Sequence, residues 1–319
     1  MTIVGEHAPG TPDLLEGDGA GRSWVTTEVS AGPRSDPAPD WLPTATSALS
    51  LLALVLIGFV LDVSLVGAMR HSRDQSVGLA DFRSELANAV APIGPADRHG
   101  HPLRPGAPMA VLEMPSIGLR ELVGQGTTSE ILMSGPGHRR DTVFPGQVGT
   151  SVIFGRRAGF GGPFAHVKDL QPGDDIVAVT GSGTHRYRVL DVRRAADPLP
   201  PAPGPTEGRL ILVTADGAPY VPSGVLRVDA TLVSAAQGPP VTTTPQVPLM
   251  KAETALAGEA SGLVSFVGRG ALLLVGVGCV VWARVRWGRH HGWVIGVPVL
   301  GLLGVASADS VVRLLPNVL

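Results

Sequence analysis

The stretch Leu210-Ile211-Leu212-Val213-Thr214-Ala215 decides the fold class. It is a short run of β-favouring, apolar residues between Gly208 and Gly217, so it reads as a strand. Working outward, the same pattern recurs at Ser151–Phe154, which runs into Gly155-Arg156-Arg157. Further candidate strands are Ala110–Met114, Ile176–Thr180, His185–Val192 and Leu226–Val233. A short helix is expected from Thr127 or Thr128, capped before Ser129-Glu130-Ile131-Leu132. Another is expected over Phe164–Leu170, ending at Pro172-Gly173. Many short, evenly spaced strands with few helices predict a mainly β domain closed into a barrel over residues 108–234.

Composition narrows the function. Net charge is -2, so no basic surface argues for nucleic acid. Charged residues make up 16% and hydrophobic residues 44%, against about 25% charged in average globular chains. Gly (42) and Pro (29) are abundant, which favours turn-rich β structure with linkers. The single cysteine, Cys279, lies in an apolar run. It forms no internal disulfide, and no Cys/His cluster suggests a metal or cofactor site.

Outside the barrel, apolar stretches suggest three transmembrane α-helices. Residues 41–61 carry no charge, residues 260–283 are interrupted once by Arg269, and residues 292–308 are again uncharged. Such lengths approach the roughly 20 residues needed to span a bilayer. Arg284, Arg286 and Arg289 between the second and third stretches read as a cytoplasmic loop. The expected order is a disordered cytoplasmic tail (1–40), a first span (41–69), an amphipathic helix and linker (70–107) and the barrel (108–234). A Pro/Thr-rich linker (235–259), a second span (260–283), a basic loop (284–291) and a third span (292–316) complete it. This makes a multi-pass protein of the cell membrane, with its barrel outside the cytoplasm and the lipid bilayer as its first partner.

The order of motifs resembles the sortase family, especially the actinobacterial class E type. Met114-Pro115-Ser116-Ile117-Gly118-Leu119 is similar to the family's opening strand and turn. Gly135-Pro136-Gly137-His138, Val152-Ile153-Phe154-Gly155, Gly161-Gly162-Pro163-Phe164, Leu170-Gln171-Pro172-Gly173-Asp174 and Leu210–Thr214 follow in sequence. The resemblance implies a sortase-like closed barrel of about eight strands with short helices. It also implies an extracytoplasmic cysteine transpeptidase that cleaves a Leu-Pro-x-Thr-Gly type signal. That chemistry needs a thiol nucleophile, a proton-handling histidine and an arginine for the peptide or its oxyanion.

The family's catalytic positions are occupied differently here. Its histidine follows Val-Ile-x-Gly, where this chain has Arg156, a side chain that stays protonated and cannot act as a base. Its cysteine follows Leu-x-Leu-Val-Thr, where this chain has Ala215. Its arginine opens the last strand, where this chain has Val225. Arg227 lies two residues on and returns to the same strand face, as a groove arginine or an ordinary barrel one. Candidate groove-binding residues are therefore Arg156, Arg157 and Arg227, of which Arg156 and Arg157 would favour an acidic peptide or carboxylate. Thr214, Asp216, Ser223, His138, His166 and His185 are nearby in sequence, but no Gly-x-Ser-x-Gly elbow supports a serine enzyme. His138 reads as a loop histidine that satisfies turn backbone.

These substitutions predict a catalytically inactive, membrane-anchored module. It would bind a sorting-signal-like peptide, an envelope protein or an active sortase, as a scaffold or regulator. The alternatives are a transpeptidase or hydrolase with displaced catalytic residues, and a purely structural membrane component.

Overall fold

The computed structural model describes residues 53, 57–97, 99–238, 249–257, 262–287, 296, 299–304, 307, 311 and 316–319. Eight strands form the barrel: β1 (Pro108–Met114), β2 (Leu119–Gln125), β3 (Gly137–His138), β4 (Gly149–Phe154), β5 (Asp175–Thr180), β6 (Gly183–Arg193), β7 (Gly208–Ala218) and β8 (Val221–Leu232). They close in the order β1-β2-β3-β4-β7-β8-β6-β5. β4 with β7, and the short β2 with β3, run parallel. All other neighbours are antiparallel.

The continuous apolar run of β7 follows from this topology. Leu210 and Leu212 face the interior with Ile153, Val228 and Ala230. Ile211, Val213 and Ala215 alternate to the outside, where they join Val152 and Phe154 in a second buried cluster. A strand covered on both faces needs apolar residues at every position. Each wholly buried leucine contributes about 1.5–3 kcal/mol.

Helix α1 (Gly67–Ala87) is continuous with a helical stretch from Ile57 and covers β1 and β2 from outside. Phe82, with Leu79 and Leu86, packs on Val111 and Leu122. Gly78 permits the approach, since a Cβ there would fall 2.6 Å from Leu122 Cδ2. Gln75 anchors the helix: its Oε1 accepts from Leu122 N at 2.6 Å, and its Nε2 donates to Leu122 O and Ser134 O at 3.1 and 2.9 Å. Helix α2 (Ser129–Ser134) starts at the expected place, with Thr128 as N-cap residue but no side-chain capping bond.

Three expectations need correction. The helix over Phe164–Leu170 is only a 3-10 turn at Val167–Asp169. Phe164, Val167 and Leu170 all enter the barrel core, and their spacing of three suits the tighter helix. β2 and β3 escaped notice, because Arg120 and Glu121 interrupt the apolar pattern of one and the other is a single dipeptide. Finally, the three transmembrane α-helices are not found: among the described residues no helix is long and apolar enough to cross a membrane. The described helix from Ile57 turns polar at Arg70 and continues as α1 against β1 and β2. Helix α3 (Gly262–Trp287) carries Arg269, Arg284 and Arg286. The tail 1–40, most of 41–56, the linker residues 239–248, the basic loop 288–291 and most of 292–315 lie outside the described residues.

Candidate functional site

The site sits on the outer face of the β4–β7–β8 part of the barrel. Parallel pairing sets Phe154 beside Val213, and antiparallel pairing sets Ala215 opposite Val225 and Val213 opposite Arg227. The strand parity that sends Leu210 and Leu212 inward therefore places Val213 and Ala215 on the site face. Thr214 falls on the inward parity and is buried. Ser223 is exposed on β8. The three positions singled out by sequence, Arg156, Ala215 and Val225, thus lie at neighbouring strand ends.

β4 ends against β7 through Gly155, whose N–H donates to Val213 O at 3.0 Å. A Cβ on Gly155 would fall 2.4 Å from the Phe164 ring, so only glycine lets the chain pass here. Arg156 then turns under α2: its Nη2 donates to Ser129 Oγ at 2.6 Å and to Ser129 O at 3.2 Å. Its guanidinium carbon sits 5.3 Å from the centroid of the Phe160 ring, a cation–π distance. Arg156 is buried. Arg157 reaches the end of β7, where its Nη1 donates to Ala215 O at 3.1 Å and lies 3.9 Å from Asp216 Oδ1. Arg194 Nε holds the other oxygen of Asp216 at 2.9 Å. The Ala215 methyl is 2% exposed and presents no nucleophile.

Arg227 is half-buried on β8, across from Arg193 on β6. Burial and the neighbouring Arg193 charge push its pKa down, against the pull of Asp229. Arg193 and Asp229 form a buried ion pair. Arg156, Arg157 and Arg227 therefore frame one face, with Arg156 and Arg157 engaged by groups of the chain itself.

Two later segments cover this face, and sequence reasoning passed over both. Residues 249–257 are locked by Glu253, which accepts from Arg140 Nε at 2.6 Å and also from Arg140 Nη2. Thr127 Oγ1 donates to Glu253 O at 2.7 Å. Residues 316–319 lie beside them. Asn317 Nδ2 donates to Thr127 O at 2.8 Å and Thr254 O at 3.0 Å, and Asn317 N donates to Ala257 O at 2.9 Å. Arg157 N donates to Val318 O at 3.2 Å. Val318 is fully buried in the cluster that holds Ala215, Leu132, Val152, Phe154 and Val213, with Val225, Ala255 and Leu256 at its edge. The only sequence signal was negative, since both segments fall among Pro-, Thr- and Leu-rich residues without strand alternation.

The histidines stand apart. His138 is fully buried between Gln125 and the Val143 carbonyl, with Nε2 2.9 Å from that oxygen. A carbonyl only accepts, so Nε2 carries the proton and Nδ1 faces the Gln125 carboxamide. Burial lowers its pKa to about 4. It is a neutral turn organiser, as its place in the Gly-Pro-Gly-His turn suggested. His166 is exposed beside Asp169, and His185 bonds Thr180 and Ser182. Among the described residues no cluster of His, Cys, Asp or Glu could hold a metal ion.

Residues 112–230 match the family model described as Sortase domain. With the eight-stranded closure, that match makes the segment a sortase-like β-barrel. Similar solved structures include the Sortase D5 transpeptidase of Clostridium perfringens, 19% identical, covering 51% of this chain and 99% of that one at a TM-score of 0.42. Sortase E from Streptomyces avermitilis is 26% identical, covering 45% and 98% at a TM-score of 0.36. Sortase E1 from Streptomyces coelicolor with a tripeptide in the active site is 21% identical, covering 44% and 95% at a TM-score of 0.37. No curated protein matches the chain.

Proposed function

We propose that this chain is a non-catalytic sortase-like protein that binds an extended peptide on its β4–β7–β8 face, as a scaffold or regulatory module of the cell envelope. The observation that carries this reading is Ala215. It stands where the sortase pattern needs its thiol, with its carbonyl held by Arg157 and Arg156 at the histidine position bound to Ser129. A guanidinium stays charged and takes up no proton at neutral pH, and a methyl cannot attack a carbonyl. What remains is an apolar face of Leu132, Val152, Phe154, Val213 and Val225 rimmed by arginines, which suits capture of a peptide rather than its cleavage.

The test compares the full chain with an Arg156→His/Ala215→Cys/Val225→Arg triple variant. Each is incubated with a peptide of the Leu-Pro-x-Thr-Gly type, followed by mass spectrometry. The wild-type chain is expected to bind without cleaving, and only the triple variant to give thiol-dependent products. Cleavage by the wild-type chain would instead establish displaced catalytic residues.

A further inference from the structure

We infer that residues 316–319 are a built-in occupant of this face, and that an outside peptide of matching chemistry binds by displacing them. The inference rests on the reading of the face as a peptide site, and adds the chemistry of its ligand.

Segment 316–319 is held like a ligand, by main-chain and side-chain contacts at successive positions. The Val318 carbonyl takes the Arg157 N–H, and Asn317 N–H gives to Ala257 O. The Asn317 carboxamide is fully buried and donates to the carbonyls of Thr127 and Thr254. The Val318 side chain fills the apolar cluster beside Ala215. Arg157 joins the two halves of the arrangement, since its amide grips Val318 and its guanidinium grips Ala215. Thr127 does the same from the other side, with its carbonyl to Asn317 and its hydroxyl to Glu253.

The ligand class follows from these partners. A position that meets backbone carbonyls alone needs a neutral donor, which asparagine supplies and aspartate cannot. The next position needs an aliphatic side chain to fill the cluster beside Ala215. The face therefore selects an uncharged, extended Asn-Val-type peptide. Its resident copy lowers the apparent affinity for any competitor by the fraction of molecules already closed.

The test uses the full chain and a fluorescent Leu-Pro-Asn-Val-Leu peptide, read by anisotropy. Asn317→Asp and an Asn317→Ala/Val318→Ser double variant each release the segment. Both are expected to bind the probe at least about tenfold more tightly than wild type. A Leu-Pro-Ala-Ser-Leu probe should bind none of them, and hydrogen exchange at the Arg157 amide should quicken in both variants. Two independent variants guard against one failing to fold, with near-UV circular dichroism as the check. Equal probe affinity in wild type and variants overturns the inference. If a Leu-Pro-x-Thr-Gly type peptide still binds in that case, and Ala215→Trp abolishes it, the peptide-site reading survives alone. If no peptide binds any form, both readings fall.

Discussion

Ala215 on β7 is paired directly with Val225 on β8, so the two positions that the sequence resemblance aligns with a thiol and a guanidinium lie opposite one another as two aliphatic side chains. Both belong to one apolar cluster completed by Val318. A pair of this kind stabilises the face by burial, roughly 0.8 kcal/mol per CH₂ group removed from water.

A thiol placed here should be sluggish. In an Ala215→Cys/Cys279→Ser variant, alkylation by iodoacetamide should run at least about tenfold slower than in the same protein unfolded in urea, as burial in apolar surroundings disfavours the thiolate. Mass spectrometry of timed samples measures it. Labelling as fast as in the unfolded chain would mean that Val318 does not cover the position.

His138 makes stability depend on pH in a definite direction. Its folded pKa is lowered by burial from 6.5 to about 4, so the unfolded chain binds the extra proton first. Stability from this residue is intact above pH 6.5 and falls as pH drops from 6.5 toward 4. The slope is about 1.4 kcal/mol per pH unit, or roughly 3 kcal/mol over the window. Urea unfolding at several pH values should show this slope in wild type and a flatter one in His138→Gln.

Glu253→Ala should free residues 249–257. The substitution leaves Arg140, whose side chain is 11% exposed, facing a vacated site. Removing one member of a buried pair costs about 3–5 kcal/mol, here discounted toward 2 because Arg140 can turn to water. Hydrogen exchange should rise at Glu253 and Thr254 amides and stay unchanged in β5 and β6. Global loosening of the barrel would contradict a local latch.

Gln75→Ala should detach α1 from the sheet. Three hydrogen bonds to Leu122 and Ser134 are lost, each worth about 0.5–1.5 kcal/mol net. A drop of roughly 2 kcal/mol in chemical unfolding is expected, with Gln75→Glu failing to rescue because it keeps only the acceptor. A change below about 0.5 kcal/mol would show that Phe82 and its neighbours carry the docking alone.

Much of the barrel was legible because β4, β5, β6, β7 and β8 each carry a run or alternation of Val, Ile and Leu. β2 was not, since Arg120 pairs with Glu113 across the strands and gives the segment a polar look. The positions of Arg156 and Ala215 were readable from the glycine and threonine that precede them. Their partners were not: Ser129, Phe160 and Val318 come from segments whose contact with the site depends on chain closure, which no local pattern encodes. The expected membrane helices failed for a related reason. Low charge suggests a span, but among the described residues the helix from Ile57 meets Arg70 and Arg73 within a few turns, and α3 carries Arg269, Arg284 and Arg286.

The parallel pairing of β4 with β7 has a kinetic consequence. The two strands are neighbours in space, yet β5 and β6 lie between them in the chain. Arg157 cannot reach the Ala215 carbonyl until that long intervening loop has been closed, and contacts of such wide sequence separation slow folding toward the millisecond-to-second range. On a ribosome, β4 must wait with Val152 and Phe154 uncovered until β7 emerges, and the covering residues arrive later still. The chain therefore passes through a period in which its stickiest strand edge is complete and its shield has not been made. Chaperone dependence during synthesis, rather than weakness of the finished barrel, is where this topology exacts its toll.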